Sequence, residues 1–160
     1  MDFIWTPWRY RYIAEAGKND RCVFCDAIAL NDDVAARIVF RGKLAFTILN
    51  RFPYTTGHVM VVPYDHFAEL SDCDAKALAE MMLLAQSVQK ALARVYHPQG
   101  FNLGMNLGRC AGAGVTGHLH LHVLPRWIGD ANFMTTVAET RLEPEDLSTT
   151  FEKLHRALNA

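Results

Sequence analysis

The stretch His118-Leu119-His120-Leu121-His122-Val123-Leu124 decides how this chain folds and where its chemistry lies. Histidine alternates strictly with an aliphatic residue from 118 to 123, a period of two that is typical of a β-strand with one buried face. On such a strand the three imidazoles share one face, while Leu119, Leu121 and Val123 share the other. Packing against a helix explains the aliphatic face but not the imidazole face, which therefore needs a chemical explanation.

Three interpretations of the aligned imidazoles are open from the motif alone. They could be incidental residues of a surface strand, the ligands of a bare three-histidine metal site, or a centre for phosphorus chemistry. A neutral imidazole, with an ordinary pKa of about 6.5, can attack through one nitrogen while a hydrogen bond holds the other. Flanking imidazoles can donate to phosphate oxygens or protonate a leaving oxygen. We favour phosphorus chemistry, because it requires several imidazoles converging on one point.

A glycine-rich stretch, Asn106-Leu107-Gly108-Arg109-Cys110-Ala111-Gly112-Ala113-Gly114, lies shortly before the histidines. Glycines allow the backbone to approach a phosphate closely and to present its N–H groups, and Asn106 adds a side-chain donor. Glycine clusters mostly mark turns. The stretch therefore indicates phosphate binding only in combination with the histidines that follow it.

Beyond this motif the hydrophobic pattern predicts an α+β domain. Four further strands are expected, at 38–40, 44–49, 58–62 and 101–107. A long helix over 71–97, with Ser71 as its N-cap, carries one apolar stripe, and a final helix starts at Pro144. Strands in runs that are not strictly interleaved with helices favour an antiparallel sheet covered by helices.

Composition limits the size and the partners of the protein. A chain of 160 residues with 51% apolar content fits a single domain over 1–160, in which 1–30 are expected to be irregular. A formal net charge of −1 provides no overall field for nucleic acid or a membrane. No apolar run approaches the roughly 18–20 residues that span a bilayer, and the start of the chain lacks the order of a signal peptide. We expect a cytoplasmic protein.

The N-terminal segment contains a second chemical motif, Cys22-Val23-Phe24-Cys25. This spacing allows two thiolates to grip one metal ion. A redox-active pair is the alternative, although no strand-to-helix context of thioredoxin type surrounds it, and two thiols without a role are the third interpretation.

Together with its surroundings, the histidine stretch resembles the His-φ-His-φ-His-φ-φ motif of the histidine triad (HIT) family. The segments ILNRFPYTTGHVMVVP, GFNLGMNLG, HVLPRWIGDANF and LEPEDL are similar to the branch that contains bacterial diadenosine tetraphosphate phosphorylases and related hydrolases. The resemblance extends from Trp5 to the last helix. It implies a HIT-like fold, with a five-stranded antiparallel sheet covered by a long helix and a C-terminal helix.

The resemblance also implies roles for matching residues. His120 matches the nucleophile that forms a nucleotidyl-histidine intermediate, and His122 matches the histidine that contacts the phosphate and assists the leaving group. The implied nucleotide-binding residues are Asn50 at the ribose, Ile48 at the base, His58 beside the site, and Asn106, Gly112, Ala113 and Gly114 at the phosphates.

Zinc-containing members of the family complete a tetrahedron with two histidines. One follows the "VVP" strand and the other is the first of the triad, positions that His66 and His118 fill here. The resemblance thus implies a structural Zn²⁺ held by Cys22, Cys25, His66 and His118, which would tie the N-terminal segment to the catalytic strand.

The function implied by the resemblance is nucleotidyl transfer or hydrolysis on dinucleoside polyphosphates. The stretch Gly112-Ala113-Gly114-Val115-Thr116-Gly117 departs from the Gly-Gln-Ser or Gly-Gln-Thr of many members, which shifts the expectation away from phosphoramidates. The alternatives are a nucleoside phosphoramidase or general nucleotide hydrolase of the same family, and a module that binds nucleotide or zinc without turnover. Members commonly pair to join two sheets, so we expect a homodimer.

Overall fold

The computed structural model describes residues 21–131 and 145–159. The N-terminal aromatic segment from Trp5 to Tyr12, and Pro144, the expected start of the final helix, lie outside these ranges. The helices of the described residues are α1 (Val23–Ala29), α2 (Asp33–Ala36), α3 (Ala75–Tyr96) and α4 (Leu147–Leu158). The strands are β1 (Ile38–Arg41), β2 (Ala45–Leu49), β3 (Val59–Pro63), β4 (Gly100–Gly104) and β5 (Leu121–Arg126).

The five strands form one sheet in the order β1-β2-β3-β5-β4, with every neighbouring pair antiparallel. The prediction of an α+β fold with a five-stranded antiparallel sheet is confirmed. Strand β5, which carries the last of the three histidines, lies between β3 and β4. His122 is in register with Met60 on one side and with Gly104 on the other.

The main core lies between one face of the sheet and the helices α3 and α4. The apolar stripe of α3 supplies Met81, Val88 and Leu92, which are fully buried, and α4 adds Phe151 and Leu154. Helix α4 packs on both α3 and β1. The expected cover of a long helix and a C-terminal helix is therefore present. Burial of this one continuous apolar surface is the main force that holds the two layers together.

A smaller core lies on the opposite face of the sheet, beneath α1. Phe24 is buried there and packs against side chains of β1, β2 and β3, among them Ile48 and Met60. The prediction that 1–30 are irregular is wrong for 23–29, which form a helix. Its apolar face repeats over less than two turns, a signal too short to recognise without the sheet on which it packs.

Three predicted boundaries also need correction. Ser71 does not cap the long helix, because Leu70–Asp72 form a 3₁₀ turn and the side chain of Asp74 accepts a hydrogen bond from the Lys76 N–H at 2.8 Å. Strand β4 ends at Gly104 rather than at 107, and β5 starts only at Leu121. His118 and His120 thus precede the hydrogen-bonded ladder, although they keep its alternation of faces.

None of the helices in the described ranges has the length and apolar character needed to cross a membrane.

Candidate active site and metal centre

The side chains of 118–123 point alternately to opposite sides of the sheet. Leu119, Leu121 and Val123 belong to the main core under α3. His118 and His120 instead contact the ring of Phe24, on the side covered by α1, and all three histidines are buried. The expected separation of an imidazole face from an aliphatic face is observed.

The ring of His120 is held in one orientation by the backbone of its own strand. Its Nδ1 lies 2.8 Å from the carbonyl oxygen of His118, so Nδ1 carries the proton and donates. The other nitrogen, Nε2, then presents its lone pair. Burial lowers the pKa of His120, which favours the neutral ring. These are the two requirements for an imidazole that attacks an electrophile.

A hydrogen bond with a second histidine, His58, determines which ring nitrogen of His122 carries the proton. The backbone N–H of Tyr54 donates to Nδ1 of His58 at 3.1 Å, so neutral His58 carries its proton on Nε2. That Nε2 lies 2.8 Å from Nδ1 of His122, which must accept. The proton of His122 is therefore on Nε2. Burial, followed by the neighbouring His120, lowers the pKa of His122 to about 4.

The loop between β2 and β3 places Asn50 and His58 in contact. The Asn50 Oδ1 accepts from the Phe52 N–H at 2.9 Å, so its amide nitrogen is directed at Nδ1 of His58, 3.3 Å away. Gly57 has φ +79, and a Cβ there would lie 2.9 Å from Leu92 Cδ2, so only glycine fits immediately before His58. Ile48 is buried in the smaller core.

The glycine-rich loop runs from the end of β4 to the histidines. Asn106 and Ala113 are half-buried, and Gly112 and Gly114 are exposed. Gly112 has φ +87, and its N–H donates to the Arg109 carbonyl while that of Ala113 donates to the Gly108 carbonyl. These bonds stay within the loop, so its contact with phosphate remains a prediction.

Cys22, Cys25, His66 and His118 form a compact cluster that could hold a metal ion. Their ligand atoms all lie within 4.8 Å of one another. The Cys22 Sγ is 3.2 Å and the Cys25 Sγ is 3.7 Å from Nδ1 of His118, and the Cys25 Sγ is 3.3 Å from Nδ1 of His66. The four residues come from α1 with its N-cap, from the segment after β3 and from the triad, so the cluster joins three parts of the chain.

The donor set and its spacing fit zinc. Zn–S bonds of about 2.3 Å and Zn–N bonds of about 2.0–2.1 Å at tetrahedral angles put ligand atoms about 3.3–3.8 Å apart, close to the three distances observed here. Nε2 of His118 donates to the Pro63 carbonyl at 2.9 Å, which leaves the lone pair of Nδ1 directed at the thiols. Such an outer hydrogen bond is the usual device that orients a metal-binding histidine.

Two aromatic residues near the site are not identified by the sequence patterns. The centroid of the Phe24 ring lies 5.4 Å from that of His118 and 5.2 Å from that of His120, so Phe24 touches both the metal cluster and the candidate nucleophile. The Tyr54 ring lies 4.8 Å from His58 and 6.0 Å from His122. Their one sequence signal is position, Phe24 inside the Cys-x-x-Cys motif and Tyr54 between Asn50 and His58.

A five-stranded antiparallel sheet with alternating histidines entering an inner strand defines a known class of protein. A family model described as the HIT domain matches residues 31–127. The chain belongs to the HIT domain family.

Among curated proteins, the chain is 40% identical over 155 residues to a protein of Mycobacterium tuberculosis named AP-4-A phosphorylase. The alignment covers 92% of this chain and 79% of the relative. Among solved structures, it is similar to a Zn-bound histidine triad family protein from Mycobacterium smegmatis, with a TM-score of 0.70, 30% identity, and coverage of 86% of this chain and 93% of the other. A HIT family member from Bacillus subtilis gives a TM-score of 0.62 at 25% identity, with coverage of 86% and 96%.

Proposed function

We propose that this protein transfers a nucleotidyl group from a dinucleoside polyphosphate, such as diadenosine tetraphosphate, by way of a covalent intermediate on His120. The observation that carries the proposal is the pair of proton positions in the triad. Nε2 of His120 is an unprotonated nitrogen, and Nε2 of His122 bears a proton, with the two ring centroids 4.8 Å apart. One ring can attack while its neighbour donates a hydrogen bond to the departing oxygen.

In the first step, Nε2 of His120 attacks the α-phosphorus and forms a P–N bond. The P–O bond to the bridging oxygen breaks, and the nucleoside polyphosphate leaves as an anion whose oxygen accepts a hydrogen bond from the N–H at Nε2 of His122. In the second step, water or inorganic phosphate attacks the phosphorus, the P–N bond breaks and returns its electron pair to Nε2 of His120, and the proton of the attacking group passes to a phosphate oxygen of the products or to solvent. A hydrogen bond to a charged group contributes about 1.5–3 kcal/mol.

The nucleotide half that becomes attached to His120 is assigned to the residues implied by the family. Asn50 would bond the ribose hydroxyls, Ile48 would pack on the base, and Asn106 with the loop 112–114 would bind the phosphates. The similarity to a protein named AP-4-A phosphorylase supports a dinucleoside polyphosphate over a phosphoramidate as the substrate.

Incubation with diadenosine tetraphosphate, with and without inorganic phosphate, tests the function and identifies the acceptor. ADP and ATP formed only in the presence of phosphate indicate a phosphorylase, whereas AMP and ATP formed in either condition indicate a hydrolase. Radiolabelled adenylyl should be trapped on the wild type but not on His120→Ala. A non-catalytic binding module would yield no products, and faster cleavage of adenosine phosphoramidate would favour the alternative enzyme.

We further propose that the cluster of Cys22, Cys25, His66 and His118 binds a structural Zn²⁺. All four ligand positions belong to the protein, so such a site is closed and would not activate a water molecule. The ion would hold α1 against the triad. The similarity to a Zn-bound histidine triad protein supports this assignment.

A homodimer is the assembly that we propose. Strand β4 is an edge of the sheet, and Leu103 on it is 43% exposed. Next to Leu103, helix α3 exposes Met82 and Leu83, and the three side chains line one apolar groove. An open edge beside exposed apolar side chains suits pairing with a second copy. Light scattering should give twice the chain mass for the wild type and a lower mass for Leu83→Lys, with Val34→Lys on exposed α2 as the control.

A further inference from the structure

The two cysteines of the candidate metal cluster are close enough to react with each other. Cys22 is the N-cap of α1, and its carbonyl accepts the first helical hydrogen bond, from the N–H of Asp26 at 2.9 Å. Cys25 follows three residues later, in the first turn. The Cα atoms of residues three apart on a helix are about 5 Å apart, inside the range of about 4.4–6.8 Å that a disulfide needs. Both are free thiols in the structure, with their Sγ atoms within 4.8 Å of each other.

The pair is also accessible to a small oxidant. Cys22 and Cys25 are only half-buried, Val23 between them is 53% exposed, and His66 beside them is exposed. A thiol that coordinates a metal ion is deprotonated, and the thiolate is the form of cysteine that oxidants attack. The two sulfurs therefore combine thiolate character, exposure and a neighbouring partner, which are the usual properties of a redox-sensitive pair.

A disulfide between these cysteines would dismantle the cluster. Each of its three contacts at 3.2–3.7 Å joins a cysteine Sγ to Nδ1 of His66 or of His118. With both sulfurs bonded to each other, the two imidazoles would remain as the only donors of the set, and two nitrogen atoms do not complete the tetrahedron that zinc requires. Helix α1 would thus lose its ties to the segment after β3 and to the triad in one event.

The residue between the cysteines transmits this change to the candidate nucleophile. The ring centroid of Phe24 lies 5.4 Å from that of His118 and 5.2 Å from that of His120. Formation of an S–S bond contracts the segment 22–25 that presents this ring. In addition, the carbonyl of His118 accepts from Nδ1 of His120 at 2.8 Å, so release of the His118 ring from the cluster acts on the same imidazole.

We propose that Cys22 and Cys25 are a redox modification site, at which a peroxide forms a disulfide that dismantles the metal cluster and slows the reaction at His120. One thiolate attacks a peroxide oxygen, the O–O bond breaks, and a sulfenic acid and hydroxide form. The second thiolate attacks the sulfenic sulfur, the S–O bond breaks, and the S–S bond forms with release of a second hydroxide. The two sulfurs lose two electrons, and two protons from solvent convert the hydroxides of one hydrogen peroxide into water. A dithiol reverses the change by exchange. The effect on His120 rests on the proposed function, whereas the disulfide does not.

Treatment of the zinc-loaded double variant Cys73→Ser, Cys110→Ser with hydrogen peroxide tests the site, because only Cys22 and Cys25 then remain as cysteines. Peptide mass mapping should find the disulfide between them, and a colorimetric chelator should detect the release of about one zinc per chain. Cleavage of diadenosine tetraphosphate should fall about tenfold, as expected when a reacting group is displaced by a fraction of an ångström. A dithiol with added zinc should restore the rate.

Phe24→Leu on the same background tests the route to the nucleophile. Its thiols should form the disulfide to the same extent, because the substitution leaves both cysteines in place. The further loss of rate on oxidation should be smaller than in the parent, since the aromatic contact with His120 is already absent and the two changes are coupled. An equal loss in both proteins would exclude Phe24 as the link.

Two results would overturn the modification site itself. One is zinc that stays bound under peroxide, and the other is separate oxidation of the sulfurs to sulfinic acids without an S–S bond. A disulfide and zinc release without a change in rate would retain the modification site and remove its effect on His120. Reduced protein that does not cleave the dinucleotide would remove the proposed function, and the mass mapping would still decide the modification site, with or without bound zinc.

Discussion

Nε2 of His58 lies 2.8 Å from Nδ1 of His122, and this hydrogen bond, from the residue before β3 to a residue of β5, determines which nitrogen of His122 bears the proton. The order of donation begins at the backbone N–H of Tyr54, passes through His58 and ends at His122. A main-chain N–H can only donate, so the order cannot reverse while both rings are neutral. In the proposed reaction His58 would thus act through His122, as a positioning residue.

Replacement of His58 by Phe should therefore impair catalysis more than substrate binding. Phenylalanine preserves most of the buried volume but leaves Nδ1 of His122 without its donor, so both neutral forms of His122 become populated. We expect kcat to fall about 10²-fold, as for the loss of a hydrogen bond to a developing negative charge, with a much smaller change in KM. His58→Gln, which can still donate an N–H, should recover part of the rate. His97→Asn is the control, because His97 is an exposed residue at the end of α3. Unchanged kcat in His58→Phe would remove His58 from the mechanism.

The stability of the protein should decrease on acidification through the titration of His122. Its folded pKa is about 4, and the ordinary value is about 6.5. Below about pH 6.5 the unfolded chain takes up a proton that the folded chain does not accept until about pH 4. The contribution of His122 to the free energy of unfolding is therefore complete above pH 6.5 and is lost as pH falls. The slope from one such group is at most about 1.4 kcal/mol per pH unit.

Among the described residues, the titratable groups whose rings lie beside His122 are His58, His120 and Tyr54. Urea unfolding of the wild type and of His122→Asn at pH 7, 5.5 and 4.5 isolates the contribution, because both proteins share every other titration. The free energy of unfolding should decline less steeply in the variant. Parallel declines in the two proteins would contradict a folded-state pKa as low as about 4.

Metal analysis of the purified protein should find about one zinc per chain, because the four ligands form a single tetrahedral set. The double variant Cys22→Ser, Cys25→Ser should lose the zinc, whereas Cys73→Ser and Cys110→Ser should retain it. At a free zinc concentration of 100 Kd, binding contributes about 2.7 kcal/mol. Its loss should lower the Tm by about 5–10 °C. Zinc-free wild type prepared without chelators, with an unaltered Tm, would show that the cluster is not a metal site.

Phe24 should affect the rate even when the metal is retained. Its ring contacts both His118, in the candidate metal cluster, and His120, so Phe24→Leu removes the aromatic contact with both imidazoles while keeping an apolar side chain in the core. Small displacements of a reacting group are costly, up to about 10²-fold for 1 Å, and we expect kcat to fall about tenfold at an unchanged zinc content. Val23→Ala, on the exposed side of the same helix, is the control. A normal rate in Phe24→Leu would show that the backbone bond to His118 is enough to fix His120.

Gly42 should be intolerant of a side chain because of a contact between the β1–β2 turn and α3. The carboxylate of Glu80 accepts from the N–H groups of Lys43 and Leu44 at 2.6 and 2.9 Å. A Cβ on residue 42 would lie 2.3 Å from that carboxylate and 2.7 Å from the carbonyl oxygen of Ala45. Gly42→Ala should lower the free energy of unfolding by about 1–3 kcal/mol, as for an overpacked site.

Gly100 provides the matched control for this substitution, because a Cβ there meets no atom within 4 Å. Gly100→Ala should change the free energy of unfolding by no more than about 0.5 kcal/mol. Equal stability of Gly42→Ala and Gly100→Ala in urea would mean that the turn shifts freely and that Glu80 does not fix it.

The sequence by itself determined the two faces of the segment 118–123 and the layers built on them. Alternation and helical spacing follow from the covalent geometry of a few consecutive residues, so the aliphatic face and the long helix could be predicted without knowledge of distant contacts. The resemblance to the HIT family implied His66 and His118 as the partners of Cys22 and Cys25. The spacing of the two cysteines alone leaves a metal site, a redox pair and free thiols all open.

Tertiary structure alone decided which residues act on each imidazole. The bond from His58 to His122 depends on the register of β3 with β5, and the contact of Phe24 with His120 depends on α1 folding onto the sheet. Neither contact produces a periodic pattern in the sequence, since His58 and His122 are 64 positions apart and Phe24 and His120 are 96 apart. The proton positions at the site are set by packing between strands, which no short stretch of the chain encodes.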